Sequence, residues 1–306
     1  MLSRSVFTYL EDGRPVHLYR ITNDFGEFLE ILDYGACIYS LNVLDNKGSL
    51  GDVLLGIRDA GQLTRGGYGK QLFTYIPCED ENQLCLHLTD IGAGGYDNNV
   101  DVTVSFTFGN DHCLRIHYHM VGEEDTLLCP TNHAYFNLDG TPDICSHELC
   151  IHARQYAVKG ASGMPEGETA DVEGTPFDFR SLHPIADAFQ EETASFFSRK
   201  PPELDDTFLL GHPAGEMALA ARLQSQESGR TMDVYTDMPA LIAFTMFIRE
   251  PKIGKHEQVY QGYKAIALET QYVPNAVNCT GFEVPLFRAG QPLDSETVYA
   301  FGIIKE

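Results

Sequence analysis

Apolar and polar residues alternate through much of this chain. In VDVTVSFTF (100–108) and CLRIHYHMV (113–121) they swap at nearly every step, the period-2 signature of strands with one buried face. The same reading gives strands in VHLYRIT, EFLEILDYGACIYSLNVLD, DVLLGI, HELCIHARQYAV, MALAARLQ, TMDVYTDMPALIAFTM, YKAIALETQYV and TVYAFGIIK. DNKG, GNDH, LDGTPD, GHPAG and SQESGR separate them as turns, rich in the Gly, Asn, Asp and Pro that reversals need. Helical patterning is confined to SLHPIADAF and EETASFFSRK, both short. Many strands, few helices and no βαβ alternation predict an all-β fold, a large antiparallel β-sandwich. No linker rich in Gly, Ser or Pro and no repeat of fixed period breaks the pattern, so a single domain over residues 1–306 is expected.

Composition narrows the partners. The net charge is −23, with only 21 Lys and Arg, and such a surface repels phosphate backbones and anionic membranes. Neither nucleic acid nor a membrane is expected as a partner. The N-terminal MLSRSVFTYLEDG has no continuous apolar segment, and no run approaches the ~18 apolar residues of a membrane span. The eight cysteines form no CxxC pair and fall mostly in apolar strand-like runs, which reads as buried free thiols in a reducing compartment. A cytoplasmic protein is the expectation. Nothing in the sequence bears on oligomeric state.

Three stretches carry polar residues where a strand would prefer apolar ones. In DTLLCPTNHAYFNLDG, His133 sits between Asn132 and an aromatic pair; alone it reads as a core histidine bonded to a carbonyl. In AIALETQYVPNAVN, Glu269 follows an apolar run directly and is expected at the end of a buried strand. A buried carboxylate costs several kcal/mol unless paired, so a structural salt bridge is the plain alternative to a function. In PPELDDTFLL, Asp205 and Asp206 precede a short strand, where a turn or cap is the plain reading. A histidine and carboxylates meeting in a groove would form a general acid and base. A metal is the competing use of His112, His117 and His119 in DHCLRIHYH: the last two share a strand face, but no third ligand has a zinc-site spacing. No phosphate-binding or dinucleotide glycine loop and no GxSxG elbow occurs.

These residues carry a resemblance to the aldose 1-epimerase (galactose mutarotase) family. TNHAYFNLDG resembles that family's TNHSYFNL motif, and ALETQYVPNAVN resembles its LETQ-x-x-P-D-A-x-N motif. LDDTFLL resembles its D-H-N-F segment, GTPFDFRSLHPIADAF its TPFDFR-x-P segment, and VYTDMPALIAFT the stretch ending P-x-x-Q-x-Y-T, with Ile242 at the Gln position. The opening strands fit as well, in the family's order. The resemblance implies a large β-sandwich with Glu269 as general base, His133 as general acid and Asp205 holding sugar hydroxyls. It puts Gln271 and Asn132, within the same motifs, among the sugar-binding residues. The chain departs from the family between Leu63 and Gly67. There the family carries a G-R-x-x-N-R-I segment and an L-H-G-G motif whose arginine and histidine help bind the sugar. Here LLGIRDAGQL runs straight into TRGGYGKQLF, with Arg65 where the histidine would be. Either part of the sugar site is lost, or a stretch of chain is absent from this sequence.

The implied reaction is interconversion of the α and β anomers of a free aldose such as galactose or glucose, with no metal or organic cofactor. It requires the two catalytic groups on either side of the C1–O5 bond. Two alternatives stand beside it: a sugar-phosphate 1-epimerase, which needs an Arg/Lys cluster at the pocket, and a non-catalytic carbohydrate-binding protein on the same scaffold.

Overall fold

The computed structural model describes the whole chain except residues 57–66, 79, 81, 93, 94, 96, 97, 198 and 306. The expected fold class is what forms: strands joined by turns, with only short 3₁₀ helices and no α-helix among the described residues. In chain order the strands are β1 (Leu2–Tyr9), β2 (Pro15–Thr22), β3 (Phe28–Leu32), β4 (Cys37–Leu44), β5 (Leu50–Asp52), β6 (Leu54–Leu55), β7 (Thr74–Ile76), β8 (Gln83–Asp90), β9 (Val100–Phe108), β10 (Cys113–Gly122) and β11 (Thr126–Leu127). There follow β12 (Tyr135–Phe136), β13 (Glu148–Ile151), β14 (Gln155–Lys159), β15 (Pro165–Asp171), β16 (His183–Pro184), β17 (Asp205–Leu209), β18 (Ala218–Gln224), β19 (Arg230–Thr236), β20 (Ala240–Ile253), β21 (Val259–Gln271), β22 (Leu286–Phe287) and β23 (Pro292–Ile303). The two segments with helical patterning form 3₁₀ turns at Ile185–Phe189 and Glu191–Phe196. Among the described residues no helix is long and apolar enough to cross a membrane.

The strands fall into two compact units. The first gathers Met1–Leu128, Ile253–Gln258 and Leu286–Ala300. It holds an antiparallel sheet ordered β1-β2-β3-β4-β5 and the neighbouring strands β23-β10-β9-β8-β7. Along β9 and β10 every second residue is buried, as the alternation predicts. The long stretch 27–45 divides into β3 and β4 at Gly35, whose φ of 74° suits a residue without Cβ; a Cβ there would meet the Gly69 carbonyl oxygen at 2.7 Å.

His117 and His119 do share the outward face of β10. Both turn to Asp294 on β23, at 3.5 and 2.8 Å, while His112 pairs with Glu27 at 2.6 Å. No set of three His, Cys, Asp or Glu among the described residues is placed to hold a metal ion.

The thiol expectation needs correction. Cys78 and Cys85 are joined in a disulfide, their Cα atoms 6.3 Å apart. The antiparallel pairing of β7 with β8 sets Ile76 opposite Cys85 and so brings Cys78 within reach across the hairpin, within the usual span of such a bridge. The other six cysteines are free, but none is fully buried and Cys129 is exposed. The inference of a reducing compartment loses that support.

The second unit gathers Cys129–Lys252, Val259–Pro285 and Phe301–Glu306. It contains the neighbouring strands β16-β13-β18-β19 and β15-β14-β17-β20-β21-β12. From Lys264 to Gln271 every residue of β21 is buried, because the strand has neighbours on both edges and packing on both faces. The stretch YKAIALETQ is accordingly a continuous run and not an alternation. All five residues singled out for the sugar chemistry lie in this unit.

Candidate active site

TNHAYFNLDG reads as strand but forms very little of one. Only Tyr135 and Phe136 pair with β21, because the flanking asparagines bind the backbone instead. The Asn132 side-chain oxygen accepts the Ala134 amide at 2.9 Å, a local turn that presents His133. Beyond β12, Asn137 donates to the carbonyls of Thr141 and Lys264 at 3.1 and 2.9 Å and accepts the Gly140 amide at 2.9 Å. The Leu138 amide donates to Nε2 of His147 at 2.9 Å, and the Leu138 carbonyl accepts from Arg230 at 2.8 Å. Buried polar bonds of this kind fix the segment firmly.

His147 yields a pH prediction. Its side chain is fully buried, and burial lowers its pKa below the ordinary 6.5 although Asp139 stands 3.8 Å away. The unfolded chain therefore takes up the proton first. Stability is full above about pH 6.5 and falls as pH drops below it. Asp139 is also lowered; burial acts against this but is outweighed by His147 and the hydroxyls of Thr141 and Ser225, which adds a further loss in strongly acidic solution. From pH 8 to 5.5 the His147 contribution is at most about 1.4 kcal/mol. Urea midpoints across that range should fall in the wild type and fall less in His147→Gln, whose amide oxygen still accepts the Leu138 N–H.

The register of β12 on β21 builds the central contact. Tyr135 lies opposite Ala267 and Phe136 opposite Ile266. Continued two residues, this antiparallel ladder sets His133 opposite Glu269, on the same face as Tyr135. Their side chains meet: His133 Nε2 lies 2.9 Å from Glu269 Oε1, with the histidine 29% exposed and the glutamate 10%. An ionised carboxylate only accepts, so the shared hydrogen belongs to Nε2. Nδ1 of His133 is buried and has no hydrogen-bond partner among the described residues, so Nε2 is the nitrogen placed to exchange a proton. Leaving a buried N–H unpaired costs about 1–3 kcal/mol, and a hydrogen bond to a charged group returns about as much. Glu269 stands near the end of the buried strand, as its sequence position predicts. Gln271, buried at the end of β21, follows two residues on along the same face.

Aromatic rings frame the pair. His133 is 4.8 Å from the Tyr135 ring and 5.8 Å, edge-on, from Phe244. Phe244 lies opposite Asp205 in the pairing of β17 with β20, so the two share a face. Asp205 and Asp206 thus open β17 and do not sit in a turn before it. Asp205 is the half-exposed centre of an ionic cluster: Lys159 Nζ is 3.4 Å from its carboxylate and donates to its carbonyl, and Arg199 approaches at 3.4 Å. The Arg199 guanidinium also lies 5.7 Å from the Phe244 ring centre. His133, Glu269, Phe244 and Asp205 are linked in this way, side chain to side chain. Phe244, Tyr135, Lys159 and Arg199 escape a sequence reading, since a strand aromatic reads as core and a loop cation as solvated. Ile242 shares the Phe244 face of β20 two residues along.

A model of the aldose 1-epimerase family matches residues 64–300. The chain belongs to that family. The aldose 1-epimerase of Escherichia coli is 26% identical over 336 positions, covering 95% of this chain and 96% of the bacterial one. The human galactose mutarotase is 28% identical over 349 positions, covering 99% of both chains. Both alignments run longer than the 306 residues here, so these relatives of the aldose 1-epimerase family carry residues with no counterpart in this sequence. The departure at Leu63–Gly67 falls outside the described residues, apart from Gly67, which opens a 3₁₀ turn to Lys70. The fold is shared with a Caenorhabditis elegans GalM/aldose epimerase homologue (TM-score 0.84, 20% identity, covering 95% of this chain and 100% of that one). It is also shared with galactose 1-epimerase of Lactobacillus acidophilus (TM-score 0.83, 20% identity, covering 100% and 99%).

Proposed function

We propose that the protein is an aldose 1-epimerase that interconverts the anomers of a free aldose such as galactose or glucose, with Glu269 as base and His133 as acid. The observation that carries this is the 2.9 Å contact between His133 Nε2 and Glu269 Oε1 on a partly open sheet face. The sugar enters between them, and the mutual hydrogen bond gives way to bonds with the substrate. Glu269 takes the proton from the C1 hydroxyl, C1=O1 forms, the C1–O5 bond breaks, and O5 takes the Nε2 proton of His133, which acts as the imidazolium and is left as neutral imidazole. Rotation about C1–C2 turns the other face of the aldehyde toward O5. The two groups then reverse roles and the ring closes. Only protons move, and each positioned group contributes roughly 10²–10⁴-fold.

Asp205 and Phe244 support the same reading from the other end. The Asp205 carboxylate accepts hydroxyl protons, and the face of Phe244 suits the C–H side of a pyranose. Asn132 spends its side-chain oxygen on the Ala134 amide, so its part in sugar binding falls to the side-chain N–H₂ and to presenting His133. Gln271 extends the Glu269 side of the site.

The segments absent relative to the relatives favour one rival, a carbohydrate-binding protein without catalysis. Optical rotation separates the two. A fresh solution of α-galactose or α-glucose should reach its equilibrium rotation faster in proportion to added protein. Sugar binding without acceleration would support the rival.

A further inference from the structure

Beside the His133–Glu269 pair lies a recess of about 330 Å³ that neither residue lines. Among the described residues its aromatic walls are Tyr156, Phe177, Phe196 and Phe197, and its charged groups are Lys159, Arg199, Glu203, Asp205 and Asp206. Ligand pockets run from about 300 to 1,000 Å³, so this one suits a single ring-sized group. Asp205 and Arg199 belong to the recess and also adjoin Phe244, whose ring centre is 5.7 Å from the guanidinium and 5.8 Å from the His133 ring. A pyranose lying over Phe244 therefore ends at the mouth of the recess.

The chemistry of the walls selects the occupant. Two cations face three carboxylates: Arg199 holds Glu203 at 2.7 Å and Asp205 at 3.4 Å, and Lys159 holds Asp205 at 3.4 Å and Asp206 at 3.7 Å. With one carboxylate in excess, a phosphate or uronate is disfavoured, and the Arg/Lys cluster that a sugar phosphate requires is already neutralised. Five ionisable groups equally disfavour a purely apolar occupant. Asp206 is largely buried, and burial raises its pKa against the pull of Lys159. Its carboxylate accepts the Asp205 amide at 3.1 Å and faces Lys159 at 3.7 Å, and two such partners do not exhaust the acceptor capacity of a carboxylate lining the recess. Aromatic faces combined with closely spaced donors and acceptors match a neutral, polyhydroxylated ring.

Building on the reading of His133 and Glu269 as the anomerising pair, we propose that this recess takes the second glycosyl unit of a reducing disaccharide whose reducing-end ring lies on Phe244. Phe196 is its most informative wall residue: 47% exposed, outside the anomerising group, and set edge-on to Phe177 at 6.2 Å. The test measures binding by calorimetry and anomerisation by optical rotation. The probes are glucose, galactose and a panel of α- and β-linked 1→4 and 1→6 reducing disaccharides. Binding is measured on Glu269→Gln, so that it is read without turnover. At least one disaccharide should bind about tenfold tighter than its own reducing-end monosaccharide, and adding Phe196→Ala should remove most of that advantage. In the otherwise wild-type protein, Phe196→Ala should raise KM for that disaccharide and leave kcat/KM for the monosaccharide within about twofold. Equal affinities across the panel, or an advantage that Phe196→Ala leaves intact, would overturn the proposal. If no aldose is accelerated yet the Phe196-dependent advantage appears, the recess stands as a glycosyl site and the catalytic reading falls.

Discussion

Glu269→Gln should lower the acceleration of anomer exchange by about 10²–10⁴-fold while the protein remains folded. The amide keeps the shape of the carboxylate and its hydrogen-bonding reach toward His133 Nε2, but it cannot accept a proton at neutral pH. Glu269 is buried, and a neutral amide is easier to bury than a carboxylate, so the thermal midpoint should not fall. The loss should appear in kcat with KM nearly unchanged, as expected when an interaction made only in the transition state is removed. Circular dichroism and polarimetry on the same preparation check both halves. Inactivity accompanied by unfolding would reveal a structural ion pair. Retained activity would remove Glu269 as the base.

His133→Gln should cost a similar factor by a different route. Its amide N–H reaches the region of Nε2 and can donate a hydrogen bond to O5, but it cannot release a proton. The contacts with Tyr135 and Phe244 are lost with the ring, so a modest rise in KM should accompany the fall in kcat. Groups that act as one unit are strongly non-additive. The double variant His133→Gln/Glu269→Gln should therefore be no more than about tenfold slower than the worse single variant. Fully multiplicative losses in the cycle would show that the two residues act in separate steps.

How far the sequence reveals this arrangement depends on what each residue faces. β9 and β10 are legible because one face is buried, and β21 because both are. β1 and β15 are not: they lie at the edges of their sheets, stay mostly exposed, and so LSRSVFTY and PEGETAD carry no apolar period. His133 and Glu269 stand out as polar residues inside strand-like runs. Their 2.9 Å contact is invisible in one dimension, because it arises from the register of β12 on β21. Phe244 and Arg199 gain meaning only when β17 and β20 bring Asp205 opposite Phe244 and the guanidinium comes to rest near that ring. The Cys78–Cys85 bridge eluded an argument from composition because it depends on one hairpin.

The central claim is that His133 and Glu269 together open and close the ring of an aldose through its C1 hydroxyl. Exchange spectroscopy at anomeric equilibrium tests it without any net reaction. The α and β C1 protons of galactose and glucose should exchange at a rate that rises linearly with protein concentration and returns to the buffer rate with Glu269→Gln. The corresponding methyl glycosides, which have no free C1 hydroxyl, should not exchange. Exchange of the free sugars at the buffer rate, or exchange that persists in the Glu269→Gln protein, would contradict the account.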